Sequence, residues 1–195
     1  MLFFAAITAQ AQTVTFGKQV WMSENLNVDK FRNGAPIPQA KTDEEWEKAG
    51  NNKQPAWCYY NNDPKIGAKY GKLYNWYAVA DARKLCPVGW HVSSDHEWAV
   101  LTDYLGGWYN AGSKMMSTSG LHDNGNKSSG FGGLPGGSRN YVGAFESFGY
   151  DGLWWCSTSV DAENAWYRYL NHELADTNRD GGAKEMGFSV RCIKD

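Results

Sequence analysis

The chain has 195 residues, 21% of them charged, with a formal net charge of −2. That length suits one domain with a full core, and the balanced charge without any Lys/Arg block weighs against nucleic acid or an anionic membrane as partner. Ten Trp, eleven Tyr, eight Phe and 22 Gly point to short strands and many turns rather than stacked helices.

Residues 1–11 read as the end of an export signal. The apolar run Leu2-Phe3-Phe4-Ala5-Ala6-Ile7 is followed by Ala9-Gln10-Ala11, a small-x-small cleavage pattern. The run is too short to span a bilayer, so residues 12–195 form the expected mature domain. Export makes disulfides plausible. Cys58, Cys86, Cys156 and Cys192 contain no C-x-x-C pair, so a zinc ribbon is not expected, and their spacing alone leaves all pairings open.

Thr13 to Asn27 reads as a strand, a turn at Gly17-Lys18 and a second strand through Val20-Trp21-Met22. Asn33-Gly34-Ala35-Pro36-Ile37-Pro38 is a loop. Thr42-Asp43-Glu44-Glu45 is a capping box that opens a short helix ending at Gly50. Trp57-Cys58-Tyr59-Tyr60 is a strand, followed by a turn at Asn61-Asn62-Asp63-Pro64. Leu73 to Arg83 has helical spacing, with Leu73, Tyr77 and Ala80 on one side. Ser94-Asp95-His96-Glu97 is a second capping box, and its helix carries Trp98, Leu101, Thr102 and Leu105 before stopping at Gly106-Gly107. Ser117 to Ser138 is too rich in Gly, Ser and Asn for long regular structure. Strands follow at Trp154 to Ser157, Ala165 to Leu170 and Gly187 to Ile193. In the last of these, alternation of Phe188, Val190 and Cys192 with Ser189 and Arg191 predicts one buried face. The fold class is therefore α+β, with helices early and a small antiparallel sheet late.

The segments Phe16-Gly17-Lys18-Gln19-Val20-Trp21-Met22-Ser23-Glu24-Asn25-Leu26, Gly71-Lys72-Leu73-Tyr74-Asn75-Trp76-Tyr77-Ala78-Val79 and Cys86-Pro87-Val88-Gly89-Trp90-His91-Val92 are followed by Gly133-Leu134-Pro135-Gly136-Gly137, Arg139-Asn140, Trp154-Trp155 and Gly187 to Cys192. In this order they resemble the Fibrobacter succinogenes major paralogous domain, a family of exported proteins of Bacteroidetes and Fibrobacteres. A more distant likeness runs to the sulfatase-modifying proteins. The resemblance implies a C-type-lectin-like fold, with two helices flanking a small sheet and long irregular loops. It also implies a Cys86–Cys192 bridge. Family members often carry Ser where this chain has Cys156, so a second pair, Cys58 with Cys156 on neighbouring strands, is expected as an addition of this chain's own. The paired active-site cysteines of the sulfatase-modifying enzymes and the Glu-Pro-Asn or Gln-Pro-Asp triplets of calcium-dependent lectins have no counterpart here.

No G-x-S-x-G, H-E-x-x-H or P-loop lysine is present. Gly132-Gly133-Leu134-Pro135-Gly136-Gly137 lacks the Lys-Ser/Thr of a Walker loop and reads as a tight turn. His91, His96, His122 and His172 are too scattered to suggest a zinc centre. No cofactor is expected. The exception is a structural calcium, for which Asn61-Asn62-Asp63 and Asp123, Asn124 and Asn126 are the candidate oxygens; the plainer reading is that they bond their own turns. A sugar offers C–H faces that stack on rings and hydroxyls that want amides, acids or guanidiniums. The candidate ligand-binding residues are therefore Arg139, Asn140, Tyr141, Trp154, Trp155, Asn164, Trp166, Tyr167 and Arg168. Neighbouring strand residues point to opposite faces, so one ring of Trp154–Trp155 is expected outside the core face. The expected role is a non-enzymatic exported recognition or scaffold module for a glycan or surface protein. The alternatives are an enzyme or enzyme accessory acting on polysaccharide, and a purely structural surface domain.

Overall fold

In the computed structural model, residues 12–117, 128–171 and 176–195 are described. The expected export segment, and with it any cleavage at Ala11, lies outside them. The elements run β1 (Thr13–Phe16), β2 (Gln19–Met22), α1 (Asp43–Asn51), β3 (Trp57–Cys58), a 3-10 turn (Tyr60–Asn62), α2 (Pro64–Tyr70), β4 (Leu73–Tyr74), α3 (Trp76–Val79) and β5 (Trp90–Val92). Then come α4 (Asp95–Tyr104), α5 (Trp108–Met115), β6 (Ser138–Arg139), β7 (Phe145–Glu146), β8 (Asp151–Ser159), β9 (Asn164–Asn171), β10 (Thr177–Ala183) and β11 (Cys192–Lys194). Among the described residues this is a mixed α+β fold of five helices and several small antiparallel sheets.

Local chemistry sets most of the early elements. Gly17, at φ +59°, turns β1 into β2. Thr42 and Ser94 each accept from the backbone N–H three residues on, while Glu45 and Glu97 reach back to the cap. The predicted helix over 73–83 is divided. Leu73 and Tyr74 pair with β3, and Asn75 accepts from the N–H of Ala78, so the helix starts only at Trp76 and is done by Val79. The predicted turn at Asn61–Pro64 is present but opens a helix, because Asp63 caps it and Pro64 fits its first position.

Two sheets organise the molecule. One has strand order β1-β2-β11-β5 and joins the two chain ends; the other has order β10-β9-β8. Residues 187–190 run beside β8 and β4, with bridges Trp154↔Ser189 and Tyr74↔Phe188. The β10-β9-β8 sheet separates two cores. On one side Trp154 packs with Trp98 and Phe131, below α4. On the other Trp155 packs with Phe188 and Tyr167.

Two expectations are corrected here. The Gly187–Ile193 segment was expected to bury one face, but Ser189 and Arg191 are buried as fully as Phe188, Val190 and Cys192. The reason is that this segment runs between the two cores. Arg191 Nη1 donates to the carbonyls of Met22 and Phe131 and Nη2 to Asn25 Oδ1, which offsets its burial there and leaves Nε without a partner among the described residues. Cys86 and Cys192 are bridged as expected, with Cα atoms 6.2 Å apart. Cys58 and Cys156 are not. Both are free and buried, Cys58 in a small cluster with Trp46 and Leu73, Cys156 in the Trp98–Trp154 core. Their strands belong to different sheets, so they are not neighbours.

Candidate functional site

The structure disperses the residues singled out from the sequence. Arg139 is buried and structural: Nε donates to Gly143 O, Nη1 to Ala40 O, and Nη2 to Thr42 O and the Asp43 carboxylate. Asn140 caps its own hairpin, accepting from the N–H groups of Val142 and Ala144. Tyr141 is exposed at the hairpin tip. Trp154 and Trp155 do point to opposite faces, yet both are fully buried, because each face of this sheet carries its own core. Trp154 donates to Asn25 Oδ1 and Trp155 to Tyr74 O. Neither is free to stack on a ligand. Asn164 is held by the Asp161 carboxylate. Arg168 is buried and paired with Asp95 at 2.7 Å. Trp166 is half-buried under Arg179, whose guanidinium lies 3.3 Å from the ring centroid.

Tyr167 is the residue that leads to a surface. Side chains alternate along β9, so Tyr167, Tyr169 and Asn171 share the face opposite α4. Their partners complete that face: Asp180 opposite Tyr167, Asn178 and Leu153 opposite Tyr169, and Asp151 opposite Asn171. The two tyrosine rings are 5.9 Å apart and tilted by 33°. Gly182 leaves Tyr167 room to lie across β10, since a Cβ there would meet the ring at 3.1 Å. Both tyrosines are half-buried, and neither hydroxyl has a hydrogen-bond partner among the described residues. Burial and then the charge of Asp180 push the Tyr167 phenol up to about 12, and burial with Asp180, Asp176 and Asp151 raises that of Tyr169. Both therefore stay protonated, able to donate and accept. Asn178 and Asp180 escaped the sequence reading because β10 did, while Tyr169, inside the expected strand Ala165 to Leu170, and Asp151, at the start of β8, were not singled out.

Of the candidate calcium oxygens among the described residues, Asp63 Oδ1 serves the chain locally, while Asn62 Oδ1 is buried without a hydrogen-bond partner there. Asn61 and Asn62 take left-handed backbone at φ +50° and +55°, Asn62 donates to Lys41 O, and Asp63 accepts from Lys65 N–H. Asp123, Asn124 and Asn126 lie outside the described residues. Among the described residues no three of His, Cys, Asp and Glu come together as a metal site. His91 bridges Glu97 and Asp195, each at 2.8 Å, and His96 is exposed. His122 and His172 lie outside the described residues. A cavity of about 170 Å³ beside the disulfide is lined by Arg32, Lys84 and His91, and one of about 350 Å³ by Gln39, Tyr59 and Asn62. Neither adjoins the tyrosine face.

What the fold defines is a mixed α+β domain of small antiparallel sheets, one of which offers a half-exposed aromatic face. The chain belongs to the Fibrobacter succinogenes major domain family, whose model matches residues 14–194. No curated protein and no solved structure matches it.

Proposed function

We propose that the chain is a non-enzymatic, exported recognition module on a C-type-lectin-like scaffold, and that it holds a glycan on the Tyr167–Tyr169 face. The observation that carries this reading is the pair of half-exposed tyrosines, whose hydroxyls have no hydrogen-bond partner among the described residues, set in a three-stranded sheet and flanked by Asn178 and Asn171. Rings supply the stacking surface a sugar's C–H face needs, and amides and carboxylates supply its hydroxyl partners. A rigid sheet holds both in register, which limits the ordering cost of binding. Export fits the Cys86–Cys192 disulfide, since such bonds persist in oxidising compartments. The lectin-like scaffold draws support from the two capping-box helices, α1 and α4, the small antiparallel sheets and the long connections around 128–150.

The buried motif residues support a scaffold role for the rest. Asn25, Tyr74, Asn75, Trp76, Arg139 and both Nη groups of Arg191 hydrogen-bond to internal partners. Those hydrogen bonds specify the fold and leave ligand contact to the surface.

The test is an unbiased glycan array on residues 12–195, with Tyr169→Ala alongside. The native chain is expected to bind a defined set of glycans, and Tyr169→Ala to weaken binding by about tenfold, the scale of one aromatic contact. Its thermal midpoint should stay within a few degrees of the native value. A chain that binds no glycan on the array, or binds equally well without the Tyr169 ring, overturns the proposal.

A further inference from the structure

β9 and β10 sort charge by face. Arg168 and Arg179 sit opposite one another in the register and point to the α4 side, where Asp95 takes both, at 2.7 and 2.8 Å. The other face of the same strands receives carboxylates. Asp180 flanks Tyr167, Asp151 stands opposite Asn171, and Asp176 immediately precedes β10. Among the described residues none of these acids has an ion-pair partner. The hydrogen bonds they accept come from neutral donors: Asn171 to Asp151, Asn178 to Asp176, and the N–H of Gly181 to Asp180. The same carboxylates are the charges that act on the Tyr169 phenol.

A surface built this way repels anions and lacks its counter-cation. An ammonium group brought onto it gains from the acids and from the tyrosine ring faces together. A carboxylated sugar meets only like charge, and an acetamido sugar brings no charge to use. We infer that the glycan held on the Tyr167–Tyr169 face bears free amino groups, as a de-N-acetylated hexosamine polymer does. The inference rests on the glycan reading above and adds the charge of the ligand to it.

Calorimetric titration of residues 12–195 with matched oligomers decides it. The probes are fully acetylated glucosamine oligomers, their de-acetylated counterparts, oligogalacturonate and a lysine peptide of equal charge. The de-acetylated oligomer is expected to bind at least about tenfold tighter than the acetylated one, and to lose that margin at high salt and in Asp180→Asn/Asp151→Asn. Oligogalacturonate should not bind. Equal affinity for the acetylated and de-acetylated oligomers would leave the glycan reading standing and overturn this inference. So would a preference that survives the Asp→Asn pair, or a lysine peptide that binds as tightly as the sugar. No binding by any oligomer sinks both.

Discussion

Single residues here do work that their side-chain type disguises. Arg139 and Arg191 look like surface cations in the sequence, yet both are buried and spend their donors mainly on backbone carbonyls. Burial lowers the Arg191 guanidinium to about 9. Arg139→Leu removes the donor from the carbonyls of Ala40 and Gly143, while that of Thr42 keeps the Trp46 N–H, and should cost about 3 kcal/mol or more. A urea midpoint shift reads this directly; an unchanged midpoint contradicts the role. The free thiols are the converse case. Burial pushes Cys58 and Cys156 up to about 12, so both stay as thiols at neutral pH and have little nucleophilic character. Iodoacetamide should leave the folded protein unlabelled, then label both cysteines after denaturation, with mass spectrometry as the readout. His91 is a proton-dependent link. Burial works against its charge, but the hydrogen bonds its ring donates to the Asp195 and Glu97 carboxylates outweigh that and raise it; burial likewise opposes the Glu97 charge, but Ser94 and His91 hold Glu97 below its usual range. A raised histidine contributes stability that is present below its unfolded value and lost as pH rises through its folded one. A lowered glutamate contributes stability that is lost as pH falls. The melting temperature should therefore be highest in mild acid, between about pH 4.5 and 6.5, and decline towards neutral. The imidazole is 42% exposed, so screening limits the link to less than about 1 kcal/mol. His91→Gln should flatten the decline; an identical profile would assign it elsewhere.

Elements formed by local signals were legible in the sequence, and elements formed by distant partners were not. The capping boxes at Thr42 and Ser94 place α1 and α4 correctly because the chemistry is complete within four residues. Ser94→Ala should accordingly cost about 1 kcal/mol, readable as a small drop in melting temperature. The helix α5 escaped because Gly107 gives no side-chain cap to announce it. The strand β10, of sequence Thr-Asn-Arg-Asp-Gly-Gly-Ala, has little intrinsic strand character and owes its form to pairing with β9. Losing β10 from the reading lost half of the candidate site: Tyr167 was legible, while Asp180 and Asn178 became its neighbours only through that pairing. The same limit explains Trp154 and Trp155. Alternation separates their faces but says nothing about what later covers each one.

At the scale of the whole molecule, the two cores, the sheet between them and the bridge between residues 86 and 192 act together. The disulfide fixes β11, which lies between β2 and β5, to the segment leading into α4. With a sequence separation of 106 residues, it should contribute about 4–5 kcal/mol in the chain-entropy account. Cys86→Ser/Cys192→Ser should lower the urea midpoint by a corresponding amount, with Cys58 and Cys156 unable to compensate from separate sheets. A variant as stable as the native chain would mean that the strand pairing of β11 suffices alone.

The reach of that bridge has a consequence for how the protein meets proteases. Everything from α4 to the last strand lies between its two sulfurs, including all three strands of the tyrosine face and the connections around them. A single cut anywhere between Cys86 and Cys192 produces two polypeptides but not two molecules, because the pieces remain covalently tethered. The packed cores then hold them in register, so the nicked form can keep its tyrosine face and comes apart only where a reductant is also at hand.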